Sequence, residues 1–209
     1  MDVDSTFITA EVIELLAARA GALEEVAAVT EAAMRGELDF AASLERRVAL
    51  LAGLPVSVLD DVLAEVSLTP GAAELVREVQ GRGWAVGLVS GGFAEIVEPL
   101  ASRVGIERVR ANRLEVRGGV LTGRTTGPVI DRAAKEATLR AFAAAEGIDM
   151  GCTIAIGDGA NDLAMIGAAA IGIAFDAKPV VRAQAPFVVD GPRLDAALAV
   201  IDAQLARRA

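Results

Sequence analysis

The feature that most constrains the fold is a regular alternation of short apolar runs and helical segments, which starts at Trp84 and continues to the end of the chain. Four runs have the length and composition of buried strands: 84–90 ("WAVGLVS"), 152–158 ("CTIAIGD"), 170–175 ("AIGIAF") and 186–190 ("PFVVD"). Helices are predicted between and after them, over 93–105, around Asp162 and Lys178, and over 193–207. Strands connected by helices form a parallel sheet that is covered on both faces. The sequence therefore predicts an α/β fold with a doubly wound parallel sheet.

The first part of the chain has a different pattern. Between Glu11 and about Gly81, apolar residues recur at helical spacing throughout. We expect residues 1–10 and 69–209 to form a Rossmann-type α/β core. Residues 11–68 are then expected to form a helical cap that is inserted after the first strand.

Two local signals add detail to this prediction. Thr69 followed by Pro70 has the pattern of an N-cap with a first-turn proline, which predicts a helix that ends at Gly81. The segment 112–124 ("NRLEVRGGVLTGR") has two short runs around a Gly-Gly pair, which is typical of a β-hairpin with a tight turn.

Composition excludes several classes of function. The net charge of −9 argues against a nucleic-acid surface. The chain has no histidine, which excludes a Ser-His-Asp triad, a phosphohistidine intermediate and a His-ligated zinc ion. Its single cysteine, Cys152, has no Arg six residues later, so a thiol phosphatase loop is excluded as well. Any catalysis must then depend on carboxylates, Lys, Ser and a hard metal ion.

The same composition suggests where the protein works. One cysteine cannot form an internal disulfide, which favours a reducing compartment. The most apolar stretch, 163–175, is too short to span a bilayer, and no export signal precedes an apolar run. We expect a cytoplasmic protein, a monomer or homodimer, with a small-molecule substrate and neither a membrane nor a nucleic acid as partner.

Polar residues follow three of the predicted strands. They are Asp2 and Asp4 in "MDVDST", Ser90 with Gly91 and Gly92 in "VSGG", and Asp158, Asn161 and Asp162 in "GDGAND". Because ligands bind beyond the carboxyl ends of parallel strands, we expect these groups at one edge of the sheet. The sequence therefore predicts four carboxylates and a Ser-Gly-Gly turn around one site.

Such a cluster of carboxylates stays ionised only with a cation among them. Oxygen ligands favour Mg²⁺, which usually shares its coordination sphere with a substrate phosphate, and Ser90 with the nearby amides could hold phosphate oxygens. Taken singly, each motif has a simpler interpretation: a solvated acidic pair, a plain turn, and a calcium-like loop or a strand-to-helix connection. Their order along the chain, with Lys135 at a predicted helix start before the last motif, makes these simpler interpretations unfavourable.

The whole chain resembles the haloacid dehalogenase superfamily of phosphatases, and within it the phosphoserine phosphatases. The resemblance rests on Lys135 and on six segments: 2–6 ("DVDST"), 11–17 ("EVIELLA"), 43–51 ("SLERRVALL"), 89–93 ("VSGGF"), 156–166 ("IGDGANDLAMI") and 172–179 ("GIAFDAKP"). It implies Mg²⁺-dependent hydrolysis of O-phospho-L-serine through an aspartyl-phosphate, as the last step of serine biosynthesis. Another small phosphomonoester as substrate, or phosphoryl transfer to an alcohol, stays open as an alternative.

The resemblance also implies roles for the catalytic residues. Asp2 would be the nucleophile and Asp4 the general acid and base. Mg²⁺ would be held by the Asp2 carboxylate, the Asp4 backbone carbonyl and Asp158, with Asp162 in support. Lys135 would neutralise charge on the nucleophile and on the phosphoryl oxygens.

Eight residues are implied to contact the substrate: Ser90, the Gly91 amide, Lys135 and Asn161 on the phosphate side, and Glu11, Met34, Phe40 and Arg47 on the serine side. Glu11 suits the ammonium group and Arg47 the carboxylate. Structural alternatives stay open for the cap residues. Arg46 or Arg47 could be a solvated residue, Met34 and Phe40 could be core residues, and Glu11 could complement a helix dipole.

The chain departs from the family pattern at its start. The pattern has several apolar residues before the first Asp, forming a strand in the middle of the sheet, whereas here only Met1 precedes Asp2. We expect that strand between those ending in Ser90 and Asp158. Two explanations are open: the polypeptide begins further upstream, which we prefer, or the short chain is an inactive ligand-binding relative.

Overall fold

The computed structural model describes residues 1–34 and 37–207, apart from the side chain of Met34, and has an α/β fold. Its strands are β1 (Gly87–Phe93), β2 (Arg108–Arg117), β3 (Val120–Thr126), β4 (Ile154–Gly157), β5 (Ile171–Phe175) and β6 (Phe187–Val189). Its helices are α1 (Val12–Ala20), α2 (Leu23–Met34), α3 (Phe40–Ala49), α4 (Val58–Glu65), α5 (Ala72–Gly81), α6 (Ala94–Arg103), α7 (Arg132–Ala145), α8 (Leu163–Ala168), α9 (Pro179–Arg182) and α10 (Ala197–Ala206).

The described strands form two sheets of three strands each. In one sheet, β4, β5 and β6 are parallel neighbours. In the other, β1 pairs in parallel with the first half of β2, and the second half of β2 pairs antiparallel with β3. The turn between β2 and β3 has positive φ at both Gly118 (58°) and Gly119 (80°), which is the primed geometry that suits a two-residue hairpin. The predicted hairpin is therefore confirmed.

The start of the chain joins the two sheets. The Met1 amino group donates to the Gly87 carbonyl at 2.9 Å, and the Val89 amide donates to the Met1 carbonyl at 3.0 Å. On the other side, the Asp2 amide donates to the Ile156 carbonyl at 2.9 Å. Residues 1 and 2 thus lie between β1 and β4, which is the place predicted for the first strand. Behind Met1, between the two sheets, lies a mainly apolar cavity of about 800 Å³.

The helices α1 to α4 belong to the segment predicted as a cap. The two ends of this segment lie next to each other. The Thr9 amide donates to the Ser67 carbonyl at 3.2 Å, and the Thr69 amide donates to the Phe7 carbonyl at 2.9 Å. Its far side is tied to the hairpin through the Leu121 amide, which donates to the Leu54 carbonyl at 2.8 Å. The division into a core and a cap at these boundaries stays a prediction.

Of the element boundaries that differ from the sequence-based prediction, two are the most informative. The strand predicted from Trp84 begins at Gly87 and continues through Ser90 and the two glycines to Phe93, because Phe93 still pairs with Asn112 on β2. The helix predicted to start after Thr69 starts at Ala72. Its N-cap is Gly71 with a φ of 81°, a left-handed conformation that only glycine adopts easily.

One group of apolar side chains forms the main core. This core extends from the sheets into the predicted cap helices. It includes Val3, which follows Asp2 in the sequence, Leu88 on β1, Ile156 on β4 and Leu44 on α3. None of the helices in the described part of the chain is both long and apolar enough to cross a bilayer.

Candidate active site

Three carboxylates from distant parts of the chain meet at the carboxyl end of the sheets. Asp2 lies at the start of the chain, Asp158 directly after β4, and Asp162 at the start of α8. One carboxylate oxygen from each lies within 4.8 Å of the others, and all three residues are buried. The structure thus brings together three of the four carboxylates that the sequence placed at strand ends, and Asp4 is not part of this cluster.

Lys135 holds two of these carboxylates. Its Nζ donates to Asp2 Oδ1 at 2.6 Å and to Asp162 Oδ1 at 2.7 Å, and the side chain is fully buried. It lies on α7, whose N-terminus is capped by the Asp131 side chain accepting from the Ala134 amide. Burial alone would lower the pKa of Lys135, but Asp2 and Asp162 outweigh burial and raise it, so the ammonium group stays charged.

One ammonium group does not balance three carboxylates. Burial, followed by repulsion from Asp162, raises the pKa of Asp2 well above its usual range. The same two causes raise the pKa of Asp158 to about 6. The three residues therefore fit a divalent cation. A hard cation would compensate the remaining negative charge, and the ligand atoms that these carboxylates offer are oxygens. Such a site favours a metal ion that prefers carboxylate ligands.

Asp4 lies in a different environment from Asp2. Burial, followed by repulsion from Glu11, raises the pKa of Asp4 to about 8. Its Oδ1 is buried and has no hydrogen-bond partner among the described residues. A carboxyl group that holds its proton near neutral pH and faces the site can act as a general acid.

Two hydrogen bonds orient the acidic residues. The hydroxyl of Thr6, which is fully buried, donates to Asp158 Oδ1 at 3.1 Å. The Gly159 amide donates to Asp162 Oδ2 at 3.0 Å. Thr6 stood in the first motif without an assigned role. Thr6 is a polar residue at a position that the strand-end pattern places inside the protein. That combination is the signal that could have pointed to a role for Thr6.

The serine and glycines of β1 lie beside Asp4, since a Cβ added to Gly92 would lie 2.6 Å from Asp4 Oδ2. Ser90 is fully buried, and its Oγ accepts from the Gly92 amide at 2.8 Å. A Cβ added to Gly91 would lie 3.0 Å from Cζ of Phe40. The ring of Phe40 on α3 therefore covers Gly91 while it also packs against the main core, and its contact with a substrate stays a prediction.

The two charged cap residues lie near Asp4. Glu11 is the N-cap residue of α1, and its Oε1 accepts from the Ser5 hydroxyl at 2.7 Å. Arg47 on α3 is half-buried, whereas Arg46 is exposed. Burial lowers the pKa of Arg47, while the nearby carboxylates of Glu11, Asp4 and Glu14 act to raise it. The structure therefore favours Arg47 over Arg46 as the arginine that faces the site.

The two other predicted residues are less informative. Met34 is the last residue of α2, and its side chain lies outside the described part of the structure. Asn161 lies in the short 3₁₀ turn Ala160–Asp162, where its Oδ1 is close to Gly159. Its contact with a phosphate group stays a prediction.

Fold and site together define an α/β protein with a buried carboxylate and lysine cluster that suits a phosphate group and a cation. A family model described as haloacid dehalogenase-like hydrolase matches residues 1–167. The chain belongs to this family.

Within this family, the chain is similar to several proteins described as phosphoserine phosphatases. The chain is 55% identical over 197 residues to "Phosphoserine phosphatase SerB2" of Mycobacterium tuberculosis. The aligned residues cover 94% of this chain and 48% of that protein. It is 52% identical over 202 residues to the phosphoserine phosphatase of Streptococcus thermophilus, covering 97% and 94%. A solved structure described as a substrate-bound phosphoserine phosphatase complex has a TM-score of 0.90 and 39% identity, covering 95% of each chain. The chain spans about half the length, 48%, of the Mycobacterium and Streptomyces coelicolor relatives.

Proposed function

We propose that this protein hydrolyses O-phospho-L-serine to L-serine and phosphate through an aspartyl-phosphate on Asp2. The observation that carries this proposal is that Glu11 and Arg47 both lie near Asp4, beside the buried acidic cluster: repulsion from Glu11 raises the pKa of Asp4, and both carboxylates act to raise the pKa of Arg47. A phosphate ester that also bears an ammonium and a carboxylate group is complementary to that arrangement. Relatives named phosphoserine phosphatase, at 55% and 52% identity, support it.

The first chemical step is assigned to the Asp pair. The Asp2 carboxylate attacks phosphorus in line with the serine oxygen, forming the bond from its oxygen to phosphorus while the ester bond breaks. Asp4 gives its proton to the departing serine oxygen. In the second step Asp4 takes a proton from a water molecule whose oxygen attacks phosphorus, the bond from phosphorus to the Asp2 oxygen breaks, and phosphate leaves with Asp2 regenerated as a carboxylate.

The other residues stabilise the negative charge on the phosphoryl oxygens during these steps. Lys135 stays protonated and stabilises the phosphoryl oxygens close to Asp2. Ser90 and the Gly91 amide bind another phosphoryl oxygen, and Asn161 supports the same region. Asp2, the Asp4 carbonyl and Asp158 would hold Mg²⁺, with Asp162 in support. The bound ion would supply positive charge against the phosphoryl oxygens.

The remaining assignments complete the proposal. Arg47 binds the substrate carboxylate and Glu11 the ammonium group, with Met34 and Phe40 closing over the ligand. We place the reaction at the end of serine biosynthesis and in the cytoplasm, as the sequence predicts.

Arg47→Ala tests the assignment of the substrate. A bond between charged groups contributes about 1.5 to 3 kcal/mol, so KM for phosphoserine should rise roughly ten- to a hundredfold. KM for phosphoethanolamine, which lacks the carboxylate, should change less than about twofold. Phosphate release is measured for both substrates, with Arg46→Ala as the matched control because Arg46 is exposed. Equal effects on both substrates would remove Arg47 from the substrate site, and no preference of the wild-type chain for phosphoserine over other phosphomonoesters would reject the proposed function.

Gly92→Ala tests the position of Asp4. A Cβ at Gly92 would lie 2.6 Å from Asp4 Oδ2 and 3.0 Å from Ser90 Oγ. Since Asp4 must move away, we expect kcat to fall by about tenfold or more, with the melting temperature lowered only slightly. Steady-state kinetics and thermal denaturation measure both. Gly81→Ala is the control, because nothing lies within 4 Å of a Cβ at that position, and an unchanged kcat in Gly92→Ala would contradict the role of Asp4.

A further inference from the structure

Asn112 is a buried polar residue that links two parts of the site. It lies on β2 and is only 2% exposed. Its Nδ2 donates to the Gly91 carbonyl at 2.8 Å, and its Oδ1 accepts from the Ile130 amide at 2.9 Å. One amide side chain thus connects the Ser-Gly-Gly segment of β1 with the segment that leads into α7.

The pairing of the strands explains why Gly91 needs this bond. The register of β1 with β2 is regular up to Val89 and resumes only at Phe93, so the backbone between them leaves the ladder. Gly91 is partly buried, so leaving its carbonyl without a partner would cost free energy. The Asn112 side chain supplies the donor that a β2 amide does not supply at this point.

The second bond acts on the helix that carries the lysine. Ile130 immediately precedes Asp131, the residue that caps α7. The Lys135 amide in turn donates to the Asp131 carbonyl at 2.9 Å. Fixing Ile130 therefore fixes where the first turn of α7 begins, and with it the depth to which Lys135 reaches between Asp2 and Asp162.

We propose that Asn112 is a positioning residue for phosphate binding, which holds the Gly91 segment and the Lys135 helix at a fixed separation. The inference rests on the proposed function only insofar as Gly91 and Lys135 bind the phosphate. Asn112 does not touch the substrate itself. Its loss should therefore weaken binding of every ligand with a phosphate group, whatever else the ligand carries.

Asn112→Asp is the sharpest test. An aspartate of the same shape keeps an acceptor for the Ile130 amide but places an oxygen against the Gly91 carbonyl. We expect the inhibition constant of inorganic phosphate to rise about five- to tenfold, and kcat/KM to fall by a similar factor for both phosphoserine and phosphoethanolamine. This equality separates Asn112 from Arg47, whose loss should affect phosphoserine alone. Asn112→Ser, which is smaller and leaves room for water, repeats the measurement if the aspartate variant does not fold.

Thr153→Val is the matched control. Thr153 is also buried, its hydroxyl donates to the Met150 carbonyl at 2.7 Å, and it immediately precedes β4, at the end of that strand away from Asp158. This variant should lose stability while its phosphate inhibition constant stays within about twofold of wild type. The inference is overturned if the Asn112 variants lose only stability, or if Thr153→Val raises the phosphate inhibition constant as much. Wild-type binding of phosphate without turnover of phosphoserine would reject the proposed function and leave the test of Asn112 intact, because phosphate binding is measured independently.

Discussion

Asp2→Asn is expected to abolish the phosphoenzyme and to lower kcat by on the order of 10⁴-fold or more. The amide is neutral and a poor nucleophile, and Asp2 is the carboxylate that contacts Lys135 while its backbone pairs with Ile156 on β4. The protein should nevertheless remain folded. Removing one negative charge relieves the repulsion among Asp2, Asp158 and Asp162, so the melting temperature without metal should be unchanged or higher.

Two measurements check this result. Acid quenching after mixing with labelled phosphoserine reports the phosphoenzyme, and thermal denaturation reports stability. Asp61→Asn is a suitable control, since it also removes one carboxylate, but from an exposed position on α4. It should leave both quantities close to wild type. Labelled protein or substantial turnover in the Asp2 variant would assign the nucleophile to another residue.

The sequence predicted the fold well where local and long-range preferences agree. The strands β4, β5 and β6 are short apolar runs followed by turn residues, and the structure confirms them with small shifts of their ends. The convergence of Asp2 with Asp158 and Asp162 could also be expected, because side chains that follow parallel strands meet at one edge. The structure brings these carboxylates together and adds Lys135 between them.

Local patterns failed where distant contacts decide the conformation. A Ser-Gly-Gly sequence favours a turn, yet it continues β1 because Phe93 pairs with Asn112 across a gap in the ladder. Thr69 has the residue type of an N-cap, but its backbone pairs with Phe7 and the helix starts later, after Gly71. Such outcomes depend on partners that are far away in sequence.

The same reason hides the residues that orient the site. Asn112 contacts Gly91 and Ile130, which lie 21 and 18 residues away, and Thr6 contacts Asp158, which lies 152 residues away. Nothing in the local sequence distinguishes Asn112 from a polar residue on an exposed hairpin. Likewise, only the packing of α3 separates the half-buried Arg47 from the exposed Arg46.

The second large effect is expected from the cavity behind Met1. It lies where the ladders that Met1 and Asp2 make with β1 and β4 would continue backwards along both strands. Side chains that line it include Val79, Trp84, Ile154, Ile171 and Leu205. Burial also lowers the pKa of the Met1 amino group to about 6, so the chain holds a desolvated amine at this point.

We therefore predict that fusing a strand-forming segment such as Val-Leu-Ile-Val before Met1 stabilises the protein. Burying each apolar side chain contributes roughly 1.5 to 3 kcal/mol, against about 1 to 2 kcal/mol per residue for ordering the backbone. A net gain of about 2 to 4 kcal/mol would raise the melting temperature by roughly 5 to 15 °C. Replacing the buried amine with an amide adds to the gain. Because Asp2 would then follow a paired strand instead of a chain end, kcat should rise as well.

Thermal denaturation and phosphate release are compared with those of a Gly-Ser-Gly-Ser fusion, which has the same length but no apolar side chains. Equal melting temperatures for the two fusions would show that the cavity does not accept a strand.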